Sequence, residues 1–302
     1  MTPILGLLQI LGIGLVVALG GLVFFTAWLL THPPRRTYAW ALARRQPGDP
    51  GELDDSLAFE EFAVDTSHGA FPIWDITGRD PMGPVVFMSH GWGSSRVGAL
   101  KRMPPIVERA SRLIAWDMPG HGEAPMNARL GADEHEIAAE ILNELGVNEQ
   151  PLVLYGWSMG AGVSLALCEK VQSSYDVRGV ICESIYRMPL TPARAVLLLR
   201  GMPHRLSLKP AIALLGLKYG VGMKWRGFDR AEIASRLTAP ILLLHGDHDP
   251  VSPLGDALAV DRAAPVAATS KIEGAGHNNI WTDPVFREVA IDAVGSFLKE
   301  GL

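Results

Sequence analysis

The chain has 302 residues, of which 48% are hydrophobic and 20% charged, with a formal net charge of −5 and a mean hydropathy of +0.17. That balance excludes a mainly disordered protein, and the length suffices to bury a full core in one or two domains. Two cysteines, Cys168 and Cys182, exclude a disulfide-built module, and the mild acidity gives no footing for nucleic-acid binding.

The positive hydropathy traces to the N-terminus. No Asp, Glu, Lys or Arg occurs from Met1 to Pro34, and the 27 residues Ile4 to Leu30 are almost wholly apolar. At helical rise they reach about 40 Å, beyond the roughly 30 Å of a bilayer's hydrocarbon core. They outlast the ~7–15 apolar residues of a secretion signal, and neither a basic leader nor a small-residue cleavage site accompanies them. Residues 4–30 are therefore expected to be a transmembrane anchor, stopped by Pro33 and Pro34. Arg35, Arg36, Arg44 and Arg45 follow it closely. By the positive-inside bias, the remainder of the chain is expected in the cytoplasm, where unpaired cysteines are at home. Residues 31–55, rich in Arg, Pro, Gly and Asp, read as a juxtamembrane linker.

From residue 56 to 302 short apolar runs alternate with helical patterns. Phe59 to Ile76 predicts an antiparallel hairpin turning at Ser67, His68 and Gly69. Pro84–Ser89, Arg112–Trp116, Leu152–Tyr155, Gly179–Cys182 and Ile241–Leu244 are runs suited to strands buried on both faces of a parallel sheet. Helices are predicted over Val97–Ala110, Asp133–Leu145, Met159–Gln172, Asp256–Ala264 and Asp283–Leu298. The alternation predicts an α/β fold with helices on both faces. Residues 185–229 break the rhythm with Leu-rich helical patches at Ala193–Leu199 and Ala211–Leu217, as a helical cap would.

Gly156-Trp157-Ser158-Met159-Gly160 is a G-x-S-x-G placed between a predicted strand and a predicted helix. Its glycines allow a nucleophilic serine on a cramped turn, and the helix N-terminus favours developing negative charge. A serine nucleophile needs a base, and the base needs an orienting carboxylate. Asp247 and Asp249 follow the strand Ile241–Leu244, Glu183 follows Gly179–Cys182, and His277 follows a predicted short strand at Thr269–Glu273.

With these residues in the order Ser, Asp, His, the chain resembles the α/β-hydrolase superfamily from about residue 59 to 300. That resemblance implies a mostly parallel central sheet with Ser158 as nucleophile, Asp249 in preference to Asp247 or Glu183 as the acid, and His277 as the base. His90-Gly91-Trp92-Gly93 resembles the family's H-G-x turn, implying an oxyanion hole made of the Trp92 and Met159 backbone N–H groups. Asp117-Met118-Pro119-Gly120-His121-Gly122 resembles a turn that marks the fold, leaving His90 and His121 structural. Trp92, Trp157 and Trp281 are expected at the substrate pocket. The pattern is similar to the Bem46-like and monoacylglycerol-lipase-like branches.

No H-E-x-x-H occurs, and His245-x-x-His248-Asp249 does not by itself make a metal site; no Gly-rich phosphate loop is present. Neither metal nor cofactor is expected. Between Ile185 and Phe228 stand eight basic residues and no acidic one, leaving the rest of the chain at −13. Such a cap suits contact with an anionic membrane surface, or is a solvated lid over the core. The expected activity is hydrolysis of an ester or thioester, of a lipid or acylated substrate, through an acyl-enzyme. An acyltransferase on the same triad, a peptidase of the same superfamily and a non-catalytic membrane-tethered binding protein are the alternatives.

Overall fold

The computed structural model describes residues 3–300. Helix α1, Pro3–Thr31, is followed by a short α2, Tyr38–Leu42, and a hairpin of β1, Phe59–Thr66, and β2, Gly69–Thr77. Next come β3, Val85–Ser89; α3, Met103–Val107; β4, Arg112–Trp116; α4, Glu134–Glu144; β5, Leu152–Trp157; α5, Met159–Val171; and β6, Val177–Glu183. The chain then leaves the sheet for α6, Leu190–Leu199, and α7, Leu208–Lys218, and returns through α8, Arg230–Ala234. It ends with β7, Ile241–Gly246; α9, Leu254–Ala263; β8, Ala267–Ile272; and α10, Pro284–Glu300.

One eight-stranded sheet runs in the order β1-β2-β4-β3-β5-β6-β7-β8. β1 and β2 are antiparallel to their neighbours, and every pairing from β4 to β8 is parallel. Each central strand is buried on both faces, which is why its sequence is continuously apolar. Alternate residues serve two cores. Val85 and Phe87 join the one beneath α4, α5 and the cap; Val86 and Met88 join the one beneath α3 and α10.

Two expectations change. The helix predicted over Val97–Ala110 is a 3-10 turn, Arg96–Arg102, followed by α3. Pro104 and Pro105 carry no amide donor, so they fit only at the start of a new helix. The segment predicted as a linker is folded onto the body. Thr37 caps α2 and Asp49 caps a 3-10 turn at Pro50–Glu52, while Arg35 donates to the carbonyls of Gly122 and Ala124 at 3.2 and 2.7 Å.

α1 is long and apolar enough to cross a membrane, and its two ends differ. Ile4 to Ala18 is exposed almost throughout, whereas Thr26, Ala27, Leu29, Leu30 and Thr31 are buried. Thr26 Oγ1 donates to Ser207 Oγ at 2.9 Å, and Thr31 O accepts from the Ala128 amide at 3.0 Å. The 22 residues from Ile4 to Phe25 reach about 33 Å at helical rise, one hydrocarbon thickness. Residues 26–31, beyond that length, are the portion of α1 docked on the body.

Removing residues 1–24 is expected to leave the melting temperature of the body within about a degree of the full chain. Removing residues 1–33 also strips Leu29 and Leu30 from the core. At ~1.5–3 kcal/mol per leucine this lowers Tm by roughly 10 °C. Differential scanning fluorimetry of both truncations in one detergent checks this, and equal values would contradict the docking.

Candidate active site

Ser158 occupies the turn between β5 and α5 with φ 54° and ψ −115°. A non-glycine residue there stores roughly 1–3 kcal/mol, so the surroundings must hold it. Its amide donates to the Glu183 carbonyl at 2.8 Å. The flanking glycines are required by space. A Cβ at position 156 would lie 2.2 Å from the Gly160 carbonyl oxygen, and one at position 160 only 2.0 Å from that of Ser89. The absent side chains let α5 seat directly on the end of β3.

Three loops at the C-terminal ends of β5, β7 and β8 bring the expected side chains together. Ser158 Oγ lies 3.0 Å from His277 Nε2, and His277 Nδ1 lies 2.7 Å from Asp249 Oδ2. The other carboxylate oxygen of Asp249 accepts the Val251 and Ser252 amides, both at 2.8 Å. Burial alone would raise the Asp249 pKa, but the hydrogen bond and charge of His277, helped by these amides, hold it below its ordinary value. Ser158 is buried to 8% exposure yet faces a cavity of about 200 Å³.

The rival acids are engaged elsewhere. Asp247 accepts the Gly274 amide at 2.7 Å and so braces the loop that carries His277. Glu183 is buried, hydrogen-bonded by Arg102, by the Tyr155 hydroxyl at 2.8 Å and by the Trp281 indole at 2.9 Å. Burial opposes ionisation of Glu183, yet Arg102 keeps its pKa below the ordinary value. This cluster went unread in the sequence, where Arg102 and Tyr155 fall in unremarkable apolar surroundings. It also relocates Trp281, which was expected at the pocket. Its indole N–H is spent on Glu183, and the ring belongs to the core beneath α3 and α10. Trp92 and Trp157 do line the cavity.

The turn after β3 reaches Ser158. A Cβ on Gly91 would meet Ser158 Cβ and the Trp157 carbonyl at 3.2 Å, so the Gly91–Trp92 backbone passes directly beside Ser158. His90 fixes this turn, its Nε2 accepting the Met118 amide at 2.9 Å and its Nδ1 donating to Gly91 O at 2.9 Å. Burial, with repulsion from His121, depresses its pKa well below the ordinary value, so it stays neutral and structural. His121 is likewise pushed down to about 4 by burial. Asp117 secures the neighbouring loop by accepting the Arg96 and Glu123 amides at 2.8 and 3.0 Å.

The cavity wall also holds residues with no motif to announce them. Leu30 of α1, Arg36 of the folded segment after it, and Val196 and Leu199 of α6 all line it. The Trp92 indole donates to the Leu30 carbonyl at 2.8 Å, tying the helix end to the turn beside Ser158.

Glu183→Gln would leave the Arg102 guanidinium buried without its counter-charge. A loss of about 3–5 kcal/mol of unfolding free energy is expected in urea denaturation, and a loss under about 1 kcal/mol would contradict a structural role for the pair.

Comparison with known proteins agrees with this architecture. Residues 85–290 match the model of the Alpha/beta hydrolase family. A pimeloyl-[acyl-carrier protein] methyl ester esterase from Methylococcus capsulatus is 29% identical over 100 residues, covering 33% of this chain and 37% of that one. The chain thus spans just over a third of that curated relative's length. Among solved structures, an esterase from Pyrococcus furiosus superposes with a TM-score of 0.65 at 19% identity, covering 90% of this chain and 97% of that one. A bacterial membrane phospholipase A superposes with a TM-score of 0.61 at 19% identity and covers 98% of both chains. The chain belongs to the Alpha/beta hydrolase family.

Proposed function

We propose that this protein is a membrane-anchored serine hydrolase cleaving carboxylic ester or thioester bonds of a lipid or acylated substrate. The observation that carries the reading is the His277 bridge, 3.0 Å to Ser158 and 2.7 Å to Asp249. His277 Nε2 takes the Ser158 proton as Oγ attacks the carbonyl carbon, while Asp249 holds the ring and stabilises the imidazolium. The Trp92 and Met159 backbone N–H groups are the proposed donors to the oxyanion. Collapse of the tetrahedral intermediate expels the alcohol or thiol, protonated by His277, and leaves acyl-Ser158. Water deprotonated by His277 then attacks, releasing the acid and restoring the serine.

The cavity supports an acyl substrate, since the cap and α1 give it an apolar wall. In the same reading the anchor read over residues 4–30 crosses the bilayer through residues 4–25 and docks on the body from residue 26, with residues 56–302 as a cytoplasmic hydrolase domain and 185–229 as its cap. The cap supports a place at the membrane surface. Leu198, Leu199, Leu206, Leu217 and Met223 are more than half exposed on it. Among the described residues Arg194, Arg205 and Lys209 beside them form no ion pair. Apolar side chains flanked by free cations suit an anionic lipid interface. The names of the relatives, a methyl ester esterase and a phospholipase, agree with ester chemistry.

Steady-state hydrolysis of acyl p-nitrophenyl and thioester substrates tests this. Ser158→Ala and His277→Ala are expected to lower kcat by about 10⁴-fold or more, and Asp249→Asn by roughly 10³–10⁴-fold, with folding retained. Turnover surviving in folded Ser158→Ala would contradict the mechanism.

A further inference from the structure

The cavity beside Ser158 is lopsided in charge. Arg36, Lys101 and Arg102 line it, and among the described residues no Asp or Glu does. Arg102 is neutralised from behind by Glu183. Among the described residues neither Arg36 nor Lys101 forms an ion pair, although Glu183 attracts Lys101 from beyond ion-pair distance. The Arg36 guanidinium lies 4.9 Å over the Trp40 ring, and Lys101 Nζ reaches only the Asn278 carbonyl, at 3.4 Å. Carboxylates do stand on the far side of Arg36, where it borders a second pocket with Glu61, Asp117 and Glu123. All three face Arg96, at 2.7, 3.7 and 2.6 Å, and none comes within ion-pair distance of Arg36.

Both cations are half-buried. Burial and repulsion from Arg102 and Arg36 outweigh the attraction of Glu183 and pull the Lys101 pKa down to about 8, and burial with repulsion from Arg44 lowers that of Arg36. Two partly desolvated positive charges facing one cavity are costly unless something negative answers them. The same cavity is also lined by the apolar residues Leu30, Leu130, Pro192, Ala193, Val196 and Leu199. Ser158 and His277 lie on the wall of this same cavity.

We propose that Arg36 and Lys101 form a subsite for an anionic group, a phosphate or carboxylate, carried by the substrate close to its scissile ester. The acyl chain lies along the apolar wall, the carbonyl reaches Ser158, and the anion meets the two cations. The enzyme then selects anionic amphiphilic esters over neutral ones of the same acyl length. Arg36 brings a consequence of its own, because the juxtamembrane segment supplies it and the membrane-proximal chain becomes part of substrate recognition. This assignment rests on the ester-hydrolase reading above and narrows its substrate class.

The test compares matched esters on the full chain in nonionic micelles: 1-acylglycerol, 1-acylglycerol 3-phosphate and the acyl ester of glycerate, with an acyl p-nitrophenyl ester as control. The ratio of kcat/KM for an anionic ester to that for 1-acylglycerol is expected above one. It should fall by about tenfold in Arg36→Gln and in Lys101→Gln, the order of one charge-assisted hydrogen bond. Arg36→Lys and Lys101→Arg keep the charge and are expected to recover most of the ratio, which packing damage alone would not allow. Preference for the phosphate or the glycerate ester tells which anion the subsite takes. Unchanged ratios in both Gln variants, with all esters cleaved, would overturn the subsite and leave the hydrolase reading standing. A folded parent that cleaves none of the esters would overturn the hydrolase reading and the subsite with it.

Discussion

Three backbones meet around Ser158 with no side chain between them, and the candidate site depends on that close approach. The end of β3 lies against the first turn of α5 because residue 160 is glycine, and the sharp exit from β5 closes because residue 156 is glycine. The turn forces Ser158 to a positive φ and points its hydroxyl out of the sheet. The helix N-terminus behind it presents N–H groups to whatever charge develops there. Parallel strands make the remainder local, since β7 and β8 end at the same edge and deliver Asp249 and His277 within hydrogen-bond reach. The strain at Ser158 is offset by burial on both sheet faces, where large side chains such as Phe87, Trp116 and Tyr155 are fully enclosed.

The same edge receives the end of α1. A helix that only tethered the protein would finish in solvent. This one buries Leu29, Leu30 and Thr31, hands its Leu30 carbonyl to Trp92 and brings Leu30 to the cavity wall. The segment after it docks through Arg35 and contributes Arg36 to the same cavity. Where α1 is held in a bilayer, the cavity mouth is consequently held near the lipid interface. The exposed leucines of the cap are the second group of apolar side chains suited to that surface.

Much of this was legible in the sequence. Strand positions followed from apolar runs, since strands buried on both faces tolerate little else; Arg112–Trp116 was read to the residue. Ser158 and His277 stood out through a Gly-flanked turn and a loop after a strand, Asp249 was preferred to Asp247 and Glu183 only through the family resemblance, and the structure brings the three within hydrogen-bond reach. Other features had no local signature. Arg102 and Glu183 are far apart in the chain, and only the closed sheet makes them a pair. Trp281 was expected at the pocket, but its ring belongs to the core beneath α3 and α10. Arg36 was legible only as one of four juxtamembrane arginines, and its place in the cavity depends on how residues 31–55 fold back. The excess length of the apolar N-terminus was visible, while its cause, the docking of residues 26–31, was a matter of tertiary contact.

Whether Ser158 is an activated nucleophile can be read directly as mass. Full-length protein in detergent micelles would be treated with a fluorophosphonate, which phosphonylates serines whose proton is taken by a neighbouring base. Intact mass spectrometry and peptide mapping would follow. One adduct per chain, mapped to Ser158 and missing from Ser158→Ala, is the predicted result. A folded parent that gains no adduct in detergent or on anionic liposomes, or carries it on another serine, would contradict the central claim.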